Sequence, residues 1–93
     1  MSQYHYFLKP TVTNTSFANS TYYYFGFVTS GIKLYLESGG PVQYSFDGVN
    51  VDGDMTTGQS SATLNLDNIS ESGIYLRVTS GSAVVRVEAW SRP

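Results

Sequence analysis

Apolar and polar residues alternate one for one along most of this chain, and no stretch repeats convincingly at the 3.6-residue period of a helix. Such a chain is confined to strands with one dry face and one wet face. In IKLYLE, residues 32 to 37, Ile32, Leu34 and Leu36 fall on one side, with Lys33, Tyr35 and Glu37 on the other. β-Branched and aromatic residues interleave with Gly, Ser, Asn and Asp clusters, the punctuation of short strands and tight turns. The expected fold is all-β: a single antiparallel β-sandwich, jelly-roll-like or immunoglobulin-like, of about seven to eight short strands.

Three turns are expected. Ser38-Gly39-Gly40 would pair Leu36 with Val42, Leu34 with Tyr44 and Ile32 with Phe46, which keeps every apolar residue on one face. Asp47-Gly48 suits a type I′ turn and would set Phe46 against Val49 and Tyr44 against Val51. Residues 32 to 52 then read as a three-stranded meander. Ser80-Gly81 would close a hairpin in which Val78 meets Ala83, Leu76 meets Val85 and Ile74 meets Val87. On that hairpin's other side Arg77 faces Val84, Tyr75 faces Arg86 in a cation–π pair, and Trp90 extends the row. Ala62, Leu64 and Leu66 form a further alternating strand. The expected core is Ile32, Leu34, Leu36, Val42, Tyr44, Phe46, Leu64, Leu66, Ile74, Leu76, Val78, Val85 and Val87.

With 93 residues there is room for one domain, spanning 1–93, and for a core covering roughly 60% of the unfolded chain's surface. Cysteine is absent, which removes disulfides, thiolate catalysis and Cys-based zinc sites together. Charged residues are 13% of the chain and the net charge is −2, against the basic stripe that phosphate backbones require, so nucleic acid is not an expected partner. No apolar run approaches bilayer length, and MSQYHYFLKP lacks the regions of a signal peptide, so the expectation is cytoplasmic synthesis with no membrane partner. The sequons at Asn14, Asn19 and Asn68 then read as chance matches.

Nine of the fourteen aromatic residues lie at or before position 27. In YYYFGFV, residues 22 to 28, both strand faces are apolar or aromatic, which calls for burial on both sides, one of them against another chain. Segment 1–31 is therefore expected at an inter-chain contact. The polar segment DGDMTTGQSS, 52 to 61, reads as a loop. Asp47, Asn50, Asp52 and Asp54 gather oxygen ligands, but counting from Asn50 gives neither the Gly at position 6 nor the Glu at position 12 of a calcium loop, so no metal is expected. His5 is the only histidine, and neither a G-x-S-x-G elbow nor a phosphate-binding Gly loop occurs. Neither an enzymatic activity nor a cofactor is expected.

From Val42 to Trp90, the strings VQYSFDG, VDGDM, SATLNLDN and IYLRVTSGSAVVRVEAW resemble the small β-structured virion proteins of tailed bacteriophages, which decorate capsids or sit at the head–tail junction. The resemblance covers about half the chain and implies a non-enzymatic structural role in the virion, most simply capsid decoration by contacts with capsid or other virion subunits or with copies of itself. The residues expected at such contacts are Tyr22, Tyr24, Phe25, Tyr75, Arg77, Val84, Arg86 and Trp90, since aromatics and arginine dominate interface energetics. The alternative is a carbohydrate-binding or adhesive module with Trp90, Tyr75 and Tyr35 as stacking platforms beside Arg86 and Glu88.

Overall fold

The computed structural model describes residues 4–17, 22–57 and 63–91. Among them there is no helix, and nine strands run in chain order: β1 (Tyr4–Leu8), β2 (Thr11–Val12), β3 (Tyr22–Tyr24), β4 (Gly31–Gly39), β5 (Val42–Ser45), β6 (Gly53–Met55), β7 (Thr63–Asp67), β8 (Gly73–Val78) and β9 (Ala83–Ser91). One sheet has the order β1-β9-β4-β7, with β2 also on β9, and the other has β3-β8-β5-β6. Both are antiparallel throughout. β1 and β2 share one side of β9, where the Val85 amide donates to the Pro10 carbonyl between them, so they act as one interrupted edge strand. The expected sandwich is present, with eight strand positions.

The pairings fall into two sets. Tyr4 pairs with Ser91, Thr11 with Val84, Tyr22 with Tyr75, Gly31 with Asp67 and Val42 with Met55, so the residue numbers in these ladders add to between 95 and 98; the ladders that join them within each sheet, β4 on β9 and β5 on β8, add to between 120 and 122. The chain is one long antiparallel hairpin, with its apex at residues 46–52, bent across itself into two sheets. That nested order is the jelly-roll arrangement rather than the immunoglobulin one.

Two of the three expected hairpins are corrected by this topology. β4 and β5 lie in different sheets, and so do β8 and β9; residues 39–41 and 79–82 are crossings between layers. Leu36 pairs with Val85 and Leu34 with Val87, not with Val42 and Tyr44. The three-stranded meander over 32 to 52 is therefore absent. The third hairpin forms as β5–β6, but Tyr44 pairs with Gly53 instead of Val51, and residues 46–52 make a wider loop. β6 lies inside the stretch read as loop, of which residues 58–61 fall outside the described ones. At the first crossing the chain needs positive φ, and Gly39 supplies it at +77°; a side chain there would overlap the Ser82 carbonyl.

The inward stripes of both sheets meet in a core of Val12, Phe25, Ile32, Leu34, Leu36, Val42, Tyr44, Met55, Ile74, Leu76, Val78, Ala83, Val85, Val87 and Ala89. Of the expected core residues only Phe46, Leu64 and Leu66 are partly exposed, packed at its margin. Ala62 lies outside the described residues.

Candidate functional site

Because β8 and β9 belong to different sheets, the residues expected on one hairpin face are divided between opposite sides of the sandwich. Tyr75 and Arg77 are on the outer face of the β3-β8-β5-β6 sheet; Val84, Arg86 and Trp90 are on the outer face of the other. The Arg86–Tyr75 pair does not form. Each arginine finds a ring on its own face instead.

On the β8 face, Tyr22 and Tyr75 are cross-strand partners with ring centroids 4.6 Å apart, and Phe17 meets Tyr75 edge-on at 6.3 Å. The Arg77 guanidinium lies 4.3 Å from the Phe17 centroid, and its Nε donates to Gln43 Oε1 at 2.8 Å. These side chains hold one another in place. On the β9 face, Arg86 lies 5.0 Å from the Tyr35 centroid and donates from Nε to Glu37 Oε2 at 2.7 Å. Lys9 Nζ is 3.4 Å from Glu37 Oε1. Glu37 is the extra residue of a β-bulge between Leu36 and Ser38, which turns its carboxylate toward both cations. The Arg86 hydrogen bond, and Lys9 after it, hold the Glu37 carboxyl below its ordinary pKa. Beside this cluster Lys33, Tyr35, Thr63, Arg86 and Glu88 line an open depression of about 260 Å³.

The apex loop is tied from within. Asp47 Oδ1 accepts from the Val49 and Asn50 amides at 2.8 and 2.9 Å and from the Ser45 hydroxyl at 2.9 Å, while Asp52 Oδ2 accepts from the Phe46 amide at 2.8 Å. The backbone bonds come first in holding the Asp47 carboxyl well below the usual carboxylate range. Among the described residues no three His, Asp or Glu side chains gather into a metal-binding group. Of the four groups that suggested cation ligands, Asp47 and Asp52 are turn acceptors.

A third surface closes one side of the sandwich. β1 and β3 are the edge strands of their sheets on that side, joined across the core margin by Tyr6 and Phe25, whose ring centroids are 5.0 Å apart. Burial raises the pKa of the Tyr6 and Tyr23 phenols, with Tyr23 adding to the effect on Tyr6. Phe7 is 52% exposed here, Leu8 37%, Tyr24 63% and Val28 61%. Residues 4–8 and 22–30 contain no Asp, Glu, Lys or Arg. The wall that these two segments form along the edge is aromatic and apolar, with Phe7 on the β9 face beside its partner Glu88 and Tyr24 on the β8 face beyond Tyr22.

Of the residues expected at contacts, Tyr24 belongs to this wall, and Tyr22 lies on the same strand with its ring across Gly73. Phe25 does not belong to any surface: it is 5% exposed, with its ring against Tyr6 and Phe27, and is a core residue. The chain bends after Tyr24 instead of continuing as a strand to Val28, which turns Phe25 inward. Residues 1–3 and 18–21 of the aromatic segment lie outside the described ones. Phe7, Leu8 and Val28 lie within the segment 1–31 expected at a contact, although they were not among the individual residues named for it. The signal that finds them is the absence of charge over two separate segments that the fold brings to one side.

No protein-family model matches this chain, and neither a curated protein nor a solved structure is significantly similar to it.

Proposed function

We propose that this chain is a non-enzymatic structural protein that works by protein–protein contact, using the aromatic wall along β1, β3 and residues 25–30 as its docking surface. The observation that carries the reading is that wall. The buried parts of interfaces are rich in aromatics and poor in charge, and a solvated surface of this composition is costly for a soluble monomer. Four large apolar side chains, Phe7, Leu8, Tyr24 and Val28, are exposed on it with no charged residue among 4–8 or 22–30. The virion setting, as a capsid decoration protein, rests on the resemblance of residues 42 to 90 to phage virion proteins. The jelly-roll order accords with it, although lectin domains and cupins share that order.

The test is reconstitution on particles stripped of this protein. Wild-type chain restores occupancy, whereas Tyr24→Asp and Val28→Asp, both at exposed positions, lower the affinity at least about tenfold with little change in melting temperature. Full occupancy by both variants would remove the wall from the contact.

A specific observation favours a second reading, a carbohydrate-binding module: the depression lined by Lys33, Tyr35, Thr63, Arg86 and Glu88 sets a partly exposed ring among polar groups. Tyr75 is excluded from that platform, being on the opposite face. Glycan titration distinguishes the two readings, since loss of glycan binding in Tyr35→Ala with no effect of Tyr24→Asp supports the module alone.

A further inference from the structure

We infer that the free edge of β1 pairs with the same edge of a second copy of the chain, joining two sandwiches through one continuous sheet. The inference rests on the docking wall proposed above and names its occupant.

An exposed sheet edge is a row of unpaired backbone donors and acceptors, which folded proteins protect by brevity, charge, proline or a bulge. β1 is bonded to β9 along all five residues on one side and to no described strand on the other. Its sequence, Tyr4-His5-Tyr6-Phe7-Leu8, has no bulge, no proline and no Lys, Arg, Asp or Glu. β3 and β6 are only three residues each, and β7, five residues long like β1, alternates the polar Thr63, Asn65 and Asp67 with its two leucines.

Charge permits a second copy as the occupant. In a two-fold contact each residue near the axis meets its own copy, so any charge there meets a like charge. The acidic apex, with Asp47, Asp52 and Asp54, is disqualified on that ground, and the outer faces carry Arg77, Lys33, Arg86 and Glu88. The β1 edge carries none. Antiparallel pairing about an axis at Tyr6 uses the whole strand and sets His5 opposite the partner's Phe7, Tyr6 opposite the partner's Tyr6 and Tyr4 opposite the partner's Leu8, with no like charges facing. It also draws the exposed parts of Phe7 and Leu8 out of water. Pairing of β1 with β7 would instead run head to tail and not close.

Sedimentation equilibrium of the full chain should give twice the 10.2 kDa chain mass. Phe7→Lys and His5→Lys, at exposed positions, should each weaken dimerisation at least about tenfold by placing charge in the seam, while Tyr35→Lys on the sheet face leaves it intact. Register is read separately: a mixture of His5→Cys and Phe7→Cys chains should cross-link under mild oxidation, and either alone should not. A chain that stays monomeric, or a dimer insensitive to both lysines, overturns the inference, as does cross-linking confined to Asn65→Cys on β7. A monomer whose Tyr24→Asp variant still loses particle binding overturns the self-pairing and leaves the docking wall standing. A β1 dimer whose wall variants still fill the particles does the reverse.

Discussion

The indole of Trp90 lies across the backbone of Gly31, its pairing partner on β4, so closely that a β-carbon at position 31 would overlap the ring. An aromatic side chain over a cross-strand glycine shields backbone that the missing side chain would leave wet. Trp90 is half-buried for this reason and helps to hold the fold, although the expected core does not include it. Gly31→Ala should cost about 1–3 kcal/mol in a denaturant melt, as overpacking does. In a Trp90→Ala background the same change should be neutral or stabilising by up to about 1 kcal/mol, because alanine loses less backbone entropy than glycine once the ring is gone. Equal costs in both backgrounds would show that the ring does not occupy that space.

Phe25 separates a core role from a docking role. Its ring packs against Tyr6 and Phe27 under the edge of both sheets, so Phe25→Ala should cost about 3–5 kcal/mol of stability. Leu76→Ala, fully buried at the centre of β8, should cost about 2–5 kcal/mol. Tyr24→Asp, one residue from Phe25 but exposed, should change the melt little. A Phe25→Ala protein with wild-type stability would place that residue at the surface after all.

Asp47 makes the apex loop sensitive to acid. Its folded-state pKa is depressed, first by the Val49 and Asn50 amides, so its contribution is present above the unfolded carboxyl value of about 3.9 and is lost as pH falls toward the folded one. At neutral pH Asp47→Ala should melt below wild type, with Asp47→Asn between them, because an amide oxygen keeps the Oδ1 bonds without the charge. The gap between wild type and Asp47→Asn should close progressively below about pH 4 in melts taken across the acid range. A gap independent of pH would mean that the charge contributes nothing.

What could be read from the sequence and what could not divide along one physical line. Period 2 reports which side of a strand is dry, and it did so for Ile32, Leu34, Leu36, Val42, Tyr44, Ile74, Leu76, Val78, Val85 and Val87, all buried. It does not report which strand lies alongside. Leu76 and Val85 point into the same core whether β8 and β9 are neighbours in one sheet or face each other across two, and a short Gly-containing link serves either geometry. The pairs that do form, such as Leu34 with Val87, lie far apart in sequence and leave no local signal. The same blindness joined Tyr75 to Trp90 on one imagined face. It also left Phe7, Leu8, Tyr24 and Val28 unconnected, because only the nested topology brings β1 beside β3.

That distinction can be tested by cross-linking, since the chain contains no cysteine of its own. Directly paired residues of antiparallel strands have Cα atoms about 4.5–5.5 Å apart, within reach of a disulfide. Lys33 and Glu88 are such a pair on β4 and β9, and both side chains are on the outer face. Lys33→Cys with Glu88→Cys should therefore form an intramolecular bond under mild oxidation. Tyr75→Cys with Arg86→Cys, adjacent if residues 72 to 90 were a hairpin, should not, because the core of the sandwich lies between them. Mass spectrometry of the oxidised monomer reads both outcomes directly. A closed 75–86 bond with an open 33–88 pair would restore the local hairpin and refute the nested jelly roll.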